Sequence, residues 1–163
     1  MRLPLTAVAL GVLGLVPFFA CGLLAVAGDP VVAPRALLAL IGYGAVILSF
    51  IGGVHWGFAL PVVPPQAVLA LVPPAATRRL VGGVVPSLVG WGAVLLAVYA
   101  WDDLALLVLI AGFIAAIVVE ARANRLGLMP PGYIWLRWGL TAGVLICLVS
   151  VAILRVLGGT VVL

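Results

Sequence analysis

The side chains able to do chemistry are few. His55, the only histidine, stands beside Trp56; Glu120 is the only glutamate; Tyr133 and Arg137 lie four residues apart. A histidine and a carboxylate together can relay a proton, and an arginine can hold an acceptor or neutralise a carboxylate. Each residue also has a structural role open to it. A lone histidine can serve as an interhelical hydrogen bond, and Glu120 with Arg137 can form a charge-neutralising pair. Stronger constellations are missing from the sequence. Cys21 and Cys147 sit singly in apolar runs, with neither CxxC spacing nor a Cys/His cluster, so they read as small buried hydrophobes rather than metal ligands. One histidine cannot make a bis-histidine haem site. Ser49, Ser87 and Ser150 lack a His/Asp partner in any recognisable motif, Asp102-Asp103 reads as a solvated turn, and the glycines form no phosphate-cradling loop. No catalytic residue, metal or cofactor is therefore assigned.

These residues must be positioned by elements that live in a bilayer. Of 163 residues, 67% are apolar and 7% charged, against about 45–50% and about 25% in soluble domains. Twelve charges cannot cover a water-soluble surface of this size. The lipid bilayer is the partner this composition requires. All eight basic residues are arginines, scattered singly or in pairs. No clustered basic face exists for nucleic acid. Exclusive arginine amid abundant Ala, Val, Leu and Gly points to a GC-rich bacterial genome, hence to a bacterial cytoplasmic (inner) membrane.

A span needs about 20 predominantly apolar residues. Five segments meet this, over roughly 4–27, 36–60, 80–100, 104–120 and 134–157. The expected fold is all-α, a single bundle of five transmembrane helices. Arg2 before an apolar stretch ending Ala25-Val26-Ala27 mimics a signal peptide, but the run exceeds the usual apolar region of about 7–15 residues, and it is expected to remain as a span. Gly28-Asp29-Pro30, Asp102-Asp103 and Met129-Pro130-Pro131-Gly132 punctuate the chain. The connection from Pro61 to Arg79 holds five prolines and a short apolar run, and reads as a greasy loop, with a partner-docking surface as the alternative. Pro17 and Pro86 are expected to kink their helices.

Arginine placement sets the orientation. Arg2, Arg78, Arg79, Arg122, Arg125 and Arg137 fall on one side, and Arg35 and Arg155 on the other. The N-terminus is expected in the cytoplasm and the C-terminus in the periplasm. All five candidate site residues then lie at the cytoplasmic end. In the second span, Ala45, Ser49, Gly53 and Gly57 recur every four residues, a small-residue ridge that admits a neighbouring helix. Gly82, Pro86 and Gly90 offer a similar ridge in the third.

The segment from Tyr43 to Gly57, YGAVILSFIGGVHWG, resembles the family of transmembrane protein 69, domain of unknown function 3429. Gly14-Leu15-Val16-Pro17-Phe18, Pro86-Ser87-Leu88 and Tyr133 to Thr141 (YIWLRWGLT) extend the likeness in order along the chain. The resemblance implies a small multi-helix protein of bacterial inner membranes or mitochondria, with no established activity. It marks Ser49, Gly52, Gly53, His55, Trp56, Gly57, Tyr133, Arg137 and Thr141 as family-type positions. Glu120 takes an acidic position that is more often aspartate, and Gly132 stands where an aromatic is expected.

Three functional readings follow. The leading one is a non-catalytic accessory, assembly or stabilising subunit of a larger membrane complex, a respiratory complex being the favoured kind. The alternative is a binder or carrier of a small apolar ligand in a cytoplasm-facing pocket. The third, an ion-coupled transporter or membrane enzyme, requires a polar path that the opposite half of the chain barely supplies.

Overall fold

The computed structural model describes residues 5–59, 74–125 and 133–159. It contains six helices among these residues and no strand: α1 (Leu5–Leu13), α2 (Val16–Ala27), α3 (Val32–Ala59), α4 (Pro74–Val98), α5 (Asp102–Arg125) and α6 (Tyr133–Gly159). Five helical stretches are long and apolar enough to cross a membrane, the first being α1 and α2 together. The protein is thus an all-α, multi-pass membrane protein.

The first span breaks where the sequence places Pro17. A proline has no N–H to give the carbonyl four residues back, and its ring crowds that carbonyl. The helix stops at Leu13, tightens through Leu15 N–H to Val12 O (3.0 Å), and restarts with Pro17 in the first turn of α2. Tyr43 Oη donates to the Gly14 carbonyl across the break (3.0 Å), so this irregular backbone is satisfied from α3. Pro86, by contrast, is carried inside a continuous α4. That helix begins at Pro74, so part of the expected loop is helical. The rest of the proline-rich connection, and Gly132, lie outside the described residues.

Around the bundle the neighbours run α2, α3, α4, α5, α6 and back to α2, with α3 also reaching α5. Phe18 sits at the centre, edge-on to Tyr43 (centroids 5.0 Å apart) and to Phe113 (6.2 Å). Leu40, Ile41, Leu48, Leu106, Leu109 and Leu148 complete the core, each fully buried. On the other side of Phe18, Cys147 Sγ donates to the Phe18 carbonyl (3.1 Å). Cys147 is a buried free thiol used as a small core residue, and Cys21 is half-buried. α1 differs from every other helix in burying none of its side chains.

The tightest contact joins α3 to α4. A Cβ on Gly52 would collide with the Gly83 carbonyl, and one on Gly90 would stand 2.9 Å from the Ala45 carbonyl. Gly53 and Gly82 meet no described atom within 4 Å, and Gly57 has no described side-chain surroundings. The contact therefore runs through Ala45 and Gly52, and Gly53 of the expected ridge Ala45, Ser49, Gly53 and Gly57 takes no part in it. Helix geometry explains the shift. Each four-residue step drifts about 40° around the axis, whereas a seven-residue step returns to within about 20°. Ala45 and Gly52 share a line along α3 that Ala45 and Gly53 do not. Gly52→Ala is expected to lower stability by about 1–3 kcal/mol through overpacking, while Gly53→Ala leaves it unchanged or slightly raised. Denaturation of the two variants side by side in mild detergent checks this.

Candidate functional site

Glu120 is fully buried near the end of α5, and Arg137 stands one turn into α6. Because α5 and α6 are joined by a short connection, they run antiparallel, and these two positions come level. Arg137 Nε donates to Glu120 Oε1 (3.0 Å) and Oε2 (3.1 Å). The contact is forked at the carboxylate but uses a single nitrogen of the guanidinium. Arg137 Nη2 is also buried, and it has no hydrogen-bond partner among the described residues. Beneath the pair, Thr141 is fully buried and its Oγ1 donates to the Arg137 carbonyl (3.0 Å), tying the hydroxyl into its own helix.

A second ion pair closes the far end of the same two helices. Arg155 Nε lies 3.0 Å from Asp103 Oδ1, and Arg155 Nη2 lies 3.6 Å from Asp102 Oδ2. These groups are partly exposed, and the aspartates sit in the first turn of α5, where negative charge suits the helix dipole. From Arg137 to Arg155 is about 27 Å of helix, close to the thickness of a hydrocarbon core of about 30 Å. The charges of α5 and α6 thus sit at the two edges of the apolar slab. Exposed Trp135 and Trp138, stacked edge-on (centroids 5.7 Å apart), mark one edge, and exposed Tyr99 and Trp101 mark the other.

Two of the remaining candidates make their hydrogen bonds elsewhere. Trp56 Nε1 donates to the Leu80 carbonyl of α4 (2.9 Å), and its indole packs where Gly83 leaves room. It serves the α3–α4 contact, away from Arg137. Ser49 Oγ donates back to the Ala45 carbonyl (2.8 Å) and binds nothing across helices. The side chains of His55 and Tyr133 lie outside those described. His55 follows Val54 on α3, and Tyr133 opens α6 one turn before Arg137. No group of three or more His, Cys, Asp or Glu side chains that could hold a metal ion occurs among the described residues.

Composition gave no sign of a cavity, yet one lies on the Arg137 side. Its volume is about 350 Å³. Leu10 and Gly11 of α1, Phe18 of α2, Ile47 and Ile51 of α3, and Leu140 of α6 contribute to its wall, which is almost wholly apolar; Arg137 is its one charged lining residue among those described. The break between α1 and α2 borders this space: Gly14 and Leu15 line it, and beyond the break α1 touches α6 near Gly11 and Leu140. Pro17 was the available signal, but a proline in a sequence reports a break and not the direction in which the chain leaves it.

The comparisons fit this architecture. Residues 3–153 match the family described as a protein of unknown function (DUF3429). The chain belongs to this family. A curated relative, transmembrane protein 69 of Xenopus tropicalis, is 40% identical over 93 residues, which is 56% of this chain. The matched stretch is 33% of that relative's length, so the relative is a much longer protein. No solved structure matches. Family membership brings no activity with it, and the site has to be read from its own geometry.

The ion pair makes a stability prediction. Removing one partner of a buried pair strands a charge and costs about 3–5 kcal/mol, whereas replacing both with apolar groups of similar size is often neutral. Arg137→Met alone is expected to lower the detergent melting midpoint sharply, and Glu120→Leu combined with Arg137→Met to restore most of the loss. A double variant as unstable as the single one would mean that the pair does more than neutralise charge.

Proposed function

We propose that the protein is a membrane-embedded binder of a small apolar ligand, held in the cavity between α1, α3 and α6. The observation that carries this reading is the cavity itself, with its apolar wall and a single charged residue, Arg137. Ligand sites have this character: mostly hydrophobic linings of about 300–1,000 Å³ with a few polar groups that fix orientation. A core packed for stability alone would not leave such a volume beside an arginine whose Nη2 lacks an acceptor among the described residues. His55 is proposed as a further contributor, since it follows Val54, which lines the cavity. Tyr133, one turn before Arg137, lies at the same end. Trp56 acts through the α3–α4 contact, holding α3 in place.

The end carrying Arg137 is proposed to face the cytoplasm, or the matrix in a mitochondrion. Arg122 and Arg125 in the last turn of α5 support this, against Asp102, Asp103 and Arg155 at the other end. The cavity then opens toward the inner leaflet, and the membrane proposed is the bacterial cytoplasmic membrane or its mitochondrial counterpart.

Purification in mild detergent followed by mass spectrometry of proteins and small molecules together tests the reading. A small hydrophobic molecule is expected to accompany the protein and to be lost in Ala7→Phe, which fills the cavity from α1 without altering any buried core residue. A stoichiometric membrane-protein partner that persists in Ala7→Phe, with no small molecule in either sample, would instead make the protein an assembly or accessory subunit.

A further inference from the structure

The charge state of the Glu120–Arg137 pair restricts the head group that the cavity takes. Resting on the ligand-binder reading, we infer that the occupant is a single-chain neutral lipid whose head is a carbonyl oxygen, and that a carboxylate or phosphate head is rejected. Glu120 is fully buried and, among the described residues, accepts from Arg137 Nε alone, so the pair sums to zero charge. The guanidinium still has N–H groups to give, and Nη2 is buried without an acceptor among the described residues. An acceptor is therefore wanted, but a second negative charge is not. Bringing an anion beside a neutralised pair would bury a net charge in a low-dielectric place, at a cost that one hydrogen bond does not cover. A neutral carbonyl supplies the lone pair without the charge.

Shape points to the same class. Arg137 and Val144 both line the cavity and lie seven residues apart on α6, about 10 Å along the axis. The polar group stands toward the membrane edge and the apolar wall runs inward to Phe18. This polarity matches an amphiphile entering head outward. The volume of about 350 Å³ stands at the small end of ligand sites, which run to about 300–1,000 Å³, and suits one chain with a small head. The guanidinium end is closed over by its neighbours, so an acceptor reaches Nη2 only when they shift. The part of the wall least held by the rest of the bundle is α1, which buries no side chain.

Three photoreactive probes with one ten-carbon diazirine-bearing tail test this on the full chain in lipid nanodiscs: a methyl ketone, the corresponding carboxylate and the headless hydrocarbon. The ketone is expected to label the stretch from Leu136 to Val144 saturably. The carboxylate and the hydrocarbon are expected to label it about tenfold more weakly, the range of one hydrogen bond to a charged group. In Glu120→Gln the guanidinium is no longer neutralised, and the preference is expected to reverse toward the carboxylate. Arg137→Lys keeps a cation for Glu120 but removes Nη2, and is expected to bring ketone labelling down to the hydrocarbon level in folded protein. Ketone labelling equal to that of the hydrocarbon would overturn carbonyl recognition while leaving a chain-binding cavity. A wild-type preference for the carboxylate would overturn the neutral head. No saturable labelling by any probe would remove the ligand-binder reading itself.

Discussion

A carboxylate with no exposed surface, inside a protein that lives in hydrocarbon, constrains everything around it. Glu120 is compensated there by Arg137, which meets both its oxygens. That contact fixes the height of α6 against α5. The Arg155 contacts with Asp103 and Asp102 fix the opposite end, so the two helices are held at both edges of the apolar layer and cannot slide by a turn. Between the clamps lie Leu106, Leu109, Phe113 and Leu148, packed without polar atoms. The clamps supply register there, and side-chain packing supplies cohesion, because lipid gives apolar helices no hydrophobic reason to associate.

The opposite side of the bundle is organised by backbone proximity. Gly52 against Gly83, and Gly90 against Ala45, bring α3 and α4 to contact distance, and Trp56 closes that seam with a hydrogen bond to Leu80. α3 is thereby held rigidly in the middle, and its other face, carrying Tyr43, Ile47 and Ile51, turns toward the first span. There the packing loosens. Tyr43 anchors the break at Gly14, while α1 beyond it buries nothing. Rigid α3 and α6 facing a weakly held α1 is an arrangement in which a space can open and close without cost to the core.

The candidate site thus draws on both regimes. Its polar group belongs to the clamp, and its apolar volume belongs to the loose corner. This division explains why Arg137 is more than half of an ion pair: its Nε is committed to register, and the residue also lines the cavity. Thr141 and Ser49 give their hydroxyls to carbonyls of their own helices, and the α5 residues between the two ion pairs are apolar.

Much of this was legible in the chain. Apolar run length determined the five spans, because a bilayer leaves the backbone no partner but itself. The short connection after Glu120 made α5 and α6 antiparallel, which brought Glu120 level with Arg137 on length alone. Pro17 marked the break in the first span, because a missing N–H is a local fact. Tertiary structure decided the rest. Whether Gly52 or Gly53 meets α4 depends on a rotation of tens of degrees about the axis of α3, which a four-residue pattern read by eye does not resolve. Trp56 and Arg137 lie at the same end of the bundle, as topology requires, yet face different neighbours, because height follows from sequence position whereas azimuth follows from packing. The cavity has no sequence signature at all. It is the space left between α1, α3 and α6 once a broken helix takes its direction, and that direction is set by contacts such as Tyr43 to Gly14 and Gly11 to Leu140, between residues far apart in the chain.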